Sequence, residues 1–211
     1  MTINEGSQVA APEAVDERID TDLFITVSGP PGCGATTLCD RLSAAIDCPY
    51  VSGGDIFREL ADEQGFNLNQ QIAEADTSDS IDRALDNRLQ QIAEKWGQAD
   101  KPFILESRLA GWLAGSHADL RIWLDAPDEV RVDRIHKREE TQAEMRVREV
   151  SEAGRYQAYY DIDVDDREFY DLQLNTARWS KEGVYQLVRA AIESYDRDTD
   201  EGAFETPPVD L

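Results

Sequence analysis

The feature that most constrains the fold of this chain is a glycine-rich segment near its start. Residues Gly29–Thr37 follow the apolar run Leu23–Ser28 and precede a helical pattern over Thr37–Ile46. Glycines in such a strand–turn–helix unit let successive backbone N–H groups turn inward, and the helix N-terminus adds a partial positive charge. The segment therefore predicts an anion-binding loop at the carboxyl end of a buried strand.

The loop departs from the usual phosphate-binding pattern at one position. Gly29, Gly34 and Thr36 are in register with G-x-x-x-x-G-K-[ST], but Ala35 stands where lysine is expected. The Thr36 hydroxyl suits a magnesium ion, whereas the usual side-chain cation is missing. Two explanations stay open: the site is degenerate, or arginines elsewhere supply the charge. A glycine-rich turn without any ligand is disfavoured, because the motif lies in its expected structural context.

Apolar and amphipathic segments alternate along the rest of the chain. Five short apolar runs predict strands, at 23–28, 50–52, 103–106, 120–124 and 171–175. Helical spacing predicts helices at 37–46, 55–64, 69–75, 80–96, 109–114, 128–138, 142–160 and 181–195. This alternation predicts an α/β fold with a five-stranded parallel sheet covered by helices on both faces. Ligands then bind at the carboxyl ends of the strands.

The charge balance disfavours some partners and indicates an environment. The chain has 44 acidic and 21 basic residues, a formal net charge of −23, and only four lysines. Repulsion of this size argues against nucleic-acid or anionic-membrane partners. We expect a surface adapted to high salt, from a halophilic source, with an acidic interaction surface as the rival explanation. A chain that keeps 17 arginines while avoiding lysine is expected to use several of them for bidentate anion binding.

The remaining composition predicts one cytoplasmic domain between two tails. Cys33, Cys39 and Cys48 form no C-x-x-C pair, and only two histidines are present, so neither a zinc site nor a disulfide framework is expected. No stretch approaches a membrane span, and the acidic N-terminus does not resemble a signal peptide. We expect residues 1–21 and 196–211 to be acidic and disordered, which leaves a folded domain at 22–195.

Two polar clusters follow predicted strands and are candidates for substrate binding. Asp55 and Arg58 come after the second strand, where Asp55 can cap a helix and Arg58 can reach a second phosphate-bearing substrate. Glu106 and Arg108 come after the third strand, where an acid can orient water molecules on a magnesium ion. The alternatives are an N-cap with a surface arginine for the first cluster and a solvated turn for the second.

A charged helix after the fourth strand carries arginines at helical spacing. Arg131, Arg134 and Arg138 lie near one face of it. This pattern is typical of an exposed helix laced with opposite charges. It equally suits a mobile lid, at about 128–141, whose arginines close over the transferring phosphates.

The next helix repeats the pattern with an acid between two arginines. Arg148, Glu152 and Arg155 are spaced to share one helix face. An intrahelical salt-bridge ladder would explain them. Two arginines flanking one carboxylate would also suit a phosphate together with the amino group of a base.

Together these segments resemble the nucleoside monophosphate kinases, and more narrowly the archaeal-type cytidylate kinases. The matching stretches are 25–32 (ITVSGPPG), 50–58 (YVSGGDIFR), 105–112 (LESRLAGW), and parts of 148–160 and of 170–176. The phosphate loop is a general motif, whereas GGDIFR and ESRLAGW are much more specific. The resemblance covers about residues 23–195 and leaves both tails out.

The resemblance implies phosphoryl transfer from ATP to CMP or dCMP, with magnesium, in a P-loop kinase that has NMP-binding and lid helices. It implies that the ATP phosphates bind at Gly29, Pro30, Pro31, Gly32, Cys33, Gly34, Ala35, Thr36 and Thr37. It places on the CMP side Asp55, Arg58, Arg108 and Glu152, of which Glu152 accepts a hydrogen bond from the cytosine amino group. Its catalytic arginines are Arg131 and Arg134 on the lid and Arg148 and Arg155, which clamp phosphates. Magnesium would be held by Thr36 and, through water, by Glu106.

Three rival functions stay open. The chain could phosphorylate another small acceptor, such as AMP, UMP or dephospho-coenzyme A. It could be a non-catalytic nucleotide-binding module in which Ala35 marks decay, although a decayed site has no reason to keep four arginines, Arg58, Arg108, Arg148 and Arg155, at cleft positions. An interaction role of the acidic surface is the third. We expect a monomer that acts on small molecules.

Overall fold

In the computed structural model, residues 18–63, 75–135, 142–197 and 209 are described. Strands and helices alternate in this order: β1 Phe24–Ser28, α1 Ala35–Ile46, β2 Tyr50–Ser52, α2 Gly53–Glu63, α3 Ala75–Gly97, β3 Phe103–Glu106, α4 Ala110–Ala114, β4 Leu120–Asp125, α5 Asp128–Ile135, α6 Gln142–Tyr160, β5 Leu172–Asn175 and α7 Lys181–Ser194. Short 3₁₀ turns at Gly115–His117 and Thr176–Arg178 follow α4 and β5. None of the described helices has the length and apolar character that crossing a membrane requires.

The strands form one parallel sheet in the order β2-β3-β1-β4-β5. Strand β1 lies at its centre, and all five of its residues are buried because helices cover both faces. Ile25 on β1 is in register with Ile104 on β3 and with Leu120 on β4. The glycine-rich loop therefore begins at the carboxyl end of the central strand, where a parallel sheet places its ligands.

Each face of the sheet has its own apolar core. The first core packs α1 and α7 on the sheet through side chains such as Leu38, Leu42 and Val188. The second packs α3 and α4 on the opposite face, and it is rich in aromatic side chains. Trp96 stacks on Phe103 there with ring centres 4.4 Å apart.

The predicted fold is confirmed, with shifts at the ends of elements. Helix α3 begins at Ala75 rather than at 80, and α5 is described only as far as Ile135. The predicted helix at 69–75 and the rest of the proposed lid, 136–141, lie outside the described residues, apart from Ala75.

The folded body extends beyond the predicted limits of 22 and 195. Ile19 is buried in the first core, and its backbone N–H donates to the Ala45 carbonyl at 2.9 Å. Arg197 pairs with Asp119 at 2.7 Å and with Asp22 at 2.9 Å. These contacts correct the predicted tail boundaries, because hydrophobic burial and ion pairing hold residues that local composition assigned to disorder. Residues 1–17, 198–208, 210 and 211 lie outside the described part.

Candidate active site

The backbone of the glycine-rich loop packs closely against the backbones of β4 and α5. A Cβ atom at Gly29 would lie 2.2 Å from the Leu124 carbonyl oxygen. Gly32 has a φ of +80°, and a Cβ there would lie 2.8 Å from the Arg131 carbonyl oxygen. Only glycine fits at both positions, so the backbone itself forms the concave side of the loop.

Helix α1 starts directly after the loop, so its N-terminus adjoins the loop backbone. The first intrahelical hydrogen bond runs from the Leu38 N–H to the Gly34 carbonyl at 3.1 Å. The N–H groups of Ala35, Thr36 and Thr37 precede it and have no acceptor within the helix. Cys33 packs as a small buried side chain, and burial raises the pKa of its thiol to about 11. A glycine-rich loop that leads into a helix N-terminus is an arrangement suited to binding anions, and the predicted contacts with ATP phosphates stay a prediction.

Glu106 closes β3 beside the loop. The Thr36 hydroxyl donates to Glu106 Oε1 at 3.5 Å, while Glu106 Oε2 is buried and has no hydrogen-bond partner among the described residues. Burial raises the pKa of the Glu106 carboxyl, and hydrogen bonds from Ser52 and Thr36 oppose that rise. A free carboxylate oxygen beside a threonine hydroxyl fits a magnesium ion reached through water. Within the described ranges no cluster of three or more His, Cys, Asp or Glu could hold a metal alone, so substrate oxygens and water would complete the coordination.

Arg108 lies after β3 and has unused hydrogen-bond donors. Its Nε and NH1 atoms are buried, and they have no hydrogen-bond partner among the described residues. The guanidinium carbon lies 5.4 Å from the centre of the Trp123 ring. Buried donors without partners carry a free-energy cost that a bound anion could remove, and the predicted contact of Arg108 with CMP stays a prediction.

Helix α6 brings further charges to Arg108. Arg148 lies 3.8 Å from the Glu152 carboxylate, and Arg155 pairs with Asp82 of α3 at 2.7 Å. Burial raises the pKa of Glu152, and the charges of Arg148, Arg108 and Arg155 oppose that rise. The structure thus brings together four of the predicted residues. We call Arg108, Arg148, Glu152 and Arg155 the Glu152 group.

Asp55 and Arg58 lie in the first half of α2. They form an ion pair with each other, and more than half of each side chain is exposed. Burial raises the pKa of Glu106, and the negative charge of Asp55 adds a smaller contribution in the same direction. Their predicted contacts with CMP stay a prediction.

The two arginines of α5 contact the back of the phosphate loop. Arg131 is 4% exposed, donates to the Pro31 carbonyl at 3.1 Å, and pairs with Asp128 and Glu149. Arg134 donates to carbonyls of the same loop. In this structure neither guanidinium group is arranged as a lid over an open cleft, and the predicted lid role stays a prediction.

Known proteins similar to this chain were found by sequence. A family model described as an AAA domain matches residues 25–157. A cytidylate kinase of Haloquadratum walsbyi is 51% identical over 187 residues, which cover 86% of this chain and 95% of that protein. A cytidylate kinase of Haloarcula marismortui is 49% identical over 185 residues, 85% of this chain and 94% of that protein. The chain belongs to the cytidylate kinase family.

The resemblance seen in the sequence is therefore confirmed. A gluconokinase crystal structure from Sinorhizobium meliloti superposes with a TM-score of 0.54 at 13% identity, over 82% of this chain and 93% of the other. At that identity the likeness supports the fold alone. In this member of the cytidylate kinase family, the phosphate loop and the Glu152 group thus lie at the ligand edge of a kinase fold.

Three polar residues of the site had not been predicted. The Ser52 hydroxyl bonds to Glu106, Asp82 pairs with Arg155, and Thr176 contacts the phosphate loop. Thr176 lies in a stretch shared with the cytidylate kinase family, so that match was a usable signal. Asp82 is one acid among many on a helix, and no local pattern distinguishes it.

Proposed function

We propose that this chain transfers the γ-phosphoryl group of ATP to CMP or dCMP, giving ADP and CDP or dCDP. Membership of the cytidylate kinase family supports the proposal. The structural observation on which it rests is that two anion-binding groups, the phosphate loop and the Glu152 group, collect at one edge of the sheet. ATP phosphates in the first and the CMP phosphate in the second would bring the reacting atoms together.

The transfer needs no nucleophile from the protein. An oxygen of the CMP phosphate attacks the γ-phosphorus of ATP, and the bond from that phosphorus to the β-phosphate oxygen breaks in line. The chain contributes position and charge: loop N–H groups orient ATP, while Arg108, Arg148 and Arg155 hold the acceptor phosphate. Thr36 and, through water, Glu106 would hold magnesium, which neutralises phosphate charge when bound.

Glu152 is the proposed base reader. A carboxylate accepts a hydrogen bond from the exocyclic amino group of cytosine, whereas uracil offers a carbonyl there. Burial raises the pKa of Glu152, and the charges of Arg148, Arg108 and Arg155 oppose that rise and so favour its charged, accepting form. Asp55 and Arg58 are proposed to contact the CMP side from the start of α2.

A monomer that acts on small molecules is also proposed. A net charge of −23 opposes nucleic-acid binding and self-association at low ionic strength. Molar salt screens that repulsion, so assays belong in molar-range KCl.

The test is ADP formation from ATP and magnesium with each nucleoside monophosphate in turn. Strong stimulation by CMP and dCMP alone would support the activity and Glu152 as base reader. Stimulation by AMP or UMP would keep the transfer chemistry and overturn the base-reading role. No turnover with any acceptor, while ATP still binds, would favour the non-catalytic module and make Ala35 the reason.

A further inference from the structure

Three consecutive carbonyl groups of the phosphate loop accept hydrogen bonds from arginines of one helix. On α5, Arg131 NH1 donates to the Pro31 carbonyl at 3.1 Å. Arg134 NH1 donates to the carbonyls of Gly32 and Cys33 at 3.1 and 3.3 Å. These are carbonyls of the stretch whose N–H groups must face a phosphate, so α5 contacts the loop from the side away from the ligand.

This contact fixes the direction of the loop amides. A trans peptide points its carbonyl and its N–H in opposite directions. Carbonyls of Pro31 and Cys33 directed at α5 therefore direct the N–H groups of Gly32 and Gly34 away from α5, toward the concave side. Positive charge behind a carbonyl also strengthens the N–H of the same peptide as a donor.

The two arginines differ in how their own charge is balanced. Arg131 is paired with Asp128 and Glu149, so its charge is neutralised locally. Arg134 contacts only uncharged oxygen atoms, and within ranges 18–63, 75–135 and 142–197 it has no carboxylate at ion-pair distance. Arg134 is therefore an α5 cation that contacts the loop without a directly paired carboxylate in the described ranges.

Thr176 fixes Arg134 in this place. It is 4% exposed and follows β5, so it is held by the sheet. Its hydroxyl accepts from Arg134 NH1 at 2.9 Å, and its carbonyl accepts from NH2 at 3.2 Å. The same hydroxyl donates a hydrogen bond to the Cys33 carbonyl, with 2.7 Å between the two oxygens. The guanidinium, the threonine and the loop thus form one connected unit.

We propose that Arg134, held by Thr176, is a positioning residue that orients the phosphate loop from its carbonyl side and supplies the positive charge that Ala35 does not. The inference rests on the proposed function in one respect, that the loop binds ATP phosphates. It differs from a lid role, because Arg134 acts without touching the phosphates and without closing over them.

The first experiment measures ATP binding to the full chain by isothermal titration calorimetry in molar-range KCl. Arg134→Met removes the charge and the donors, and the dissociation constant for ATP should rise about tenfold, while that for CMP stays unchanged. Thr176→Val should raise the ATP constant in the same direction by a smaller factor. Arg189→Met is the charge-matched control, since it removes a positive charge from α7, where Arg189 pairs with Glu193.

The deciding variant returns the missing lysine. In the Arg134→Met background, Ala35→Lys should restore most of the ATP affinity, because it supplies the charge from the usual position. Arg134→Lys, which keeps the charge and part of the hydrogen bonding, should lie between the wild type and Arg134→Met. Thermal unfolding of every variant checks that the comparison is made on folded protein.

Two results would overturn the inference. One is an Arg134→Met protein that is folded and binds ATP as tightly as the wild type. The other is a double variant that stays as weak as Arg134→Met, although Ala35→Lys alone binds ATP normally; Arg134 would then be merely structural.

Failure of the proposed function is a separate outcome. If the wild type forms no ADP with any acceptor but the binding pattern holds, the kinase proposal fails and the role of Arg134 stands. If the enzyme turns over, Arg134→Met should raise the KM for ATP more than it lowers kcat. A loss confined to kcat would contradict a role in holding the loop.

Discussion

The arginines of α5 and those of the Glu152 group share their chemistry and differ in what surrounds them. Arg131 donates to two carbonyls and pairs with two carboxylates, so its donors are used by the protein. Arg108 is also partly buried, but its Nε and NH1 atoms have no partner in the described part of the chain. The comparison teaches that two arginines with similar sequence surroundings can differ in how many of their donors the protein itself uses.

The carboxylates of the two regions also differ, in the direction in which their pKa values are shifted. A hydrogen bond from Arg131 lowers the pKa of Asp128 on the loop side. On the acceptor side, burial raises the pKa values of Glu152 and Asp86. At Asp128 and Arg131 charge is thus balanced within the protein, whereas burial of Glu152 carries a desolvation cost that substrate contacts can offset.

The largest expected effect is on the stability of the loop side. Arg131→Met should lower the free energy of unfolding by about 3–5 kcal/mol, because Glu149 would keep a largely buried charge without its partner. Denaturant unfolding measures the loss. Arg108→Met is the matched control and should lose much less, since its Nε and NH1 atoms have no hydrogen-bond partner among the described residues. Equal losses in the two variants would break the comparison.

The next effect is on turnover. Arg155→Ala should lower kcat by about 100-fold or more, because it removes a cation proposed to stabilise the transferring phosphates. The ATP dissociation constant should not change, since Arg155 lies outside the phosphate loop. Steady-state kinetics and calorimetry separate the two, with Arg155→Lys as the variant that keeps the charge. An unchanged turnover number would remove Arg155 from the site.

The acceptor side should also make stability depend on pH. Asp86 is 5% exposed and accepts from the Tyr160 hydroxyl at 3.0 Å, and burial raises its pKa to about 7. Between the unfolded pKa and this value, the folded chain holds a proton that the unfolded chain has lost. Stability should therefore fall as the pH rises from about 5 to about 7, by at most about 1.4 kcal/mol per pH unit.

The variant Asp86→Asn tests this pH dependence, because an asparagine side chain does not titrate. The variant should show a smaller fall in stability between about pH 5 and about pH 7. Thermal or denaturant unfolding at several pH values measures the slope. Asp128→Asn on the loop side is the control and should leave the slope in place. Identical slopes in Asp86→Asn and the wild type would show that Asp86 is not the group responsible.

The smallest expected effect is on base selectivity. Glu152→Gln should reduce the preference for CMP over UMP by about tenfold, because the amide can present a donor where the carboxylate only accepts. The ratio of kcat/KM for the two acceptors measures it. Glu149→Gln on the same helix is the control and should not change the ratio. A ratio unaffected by Glu152→Gln would place base reading elsewhere.

Much of the fold and part of the site follow from the sequence alone. The apolar runs, the loop glycines and the alternation of strands with helices determine the sheet and its ligand edge, because each depends on residues close together in the chain. Thr36 and Glu106 were identified as a possible magnesium pair from local sequence. Thr36 belongs to a recognisable loop motif, and Glu106 ends a recognisable apolar strand.

Only the tertiary structure decided how the arginines divide between support and substrate. Arg134 meets the Gly32 carbonyl across 102 residues of chain and Thr176 across 42. Arg131 meets Glu149 on another helix, and Arg155 meets Asp82 on α3. Helical spacing places these side chains on a face but does not say what packs against that face. The choice between a free cation and a paired one depends on long-range packing, burial and the hydrogen bonds that packing satisfies.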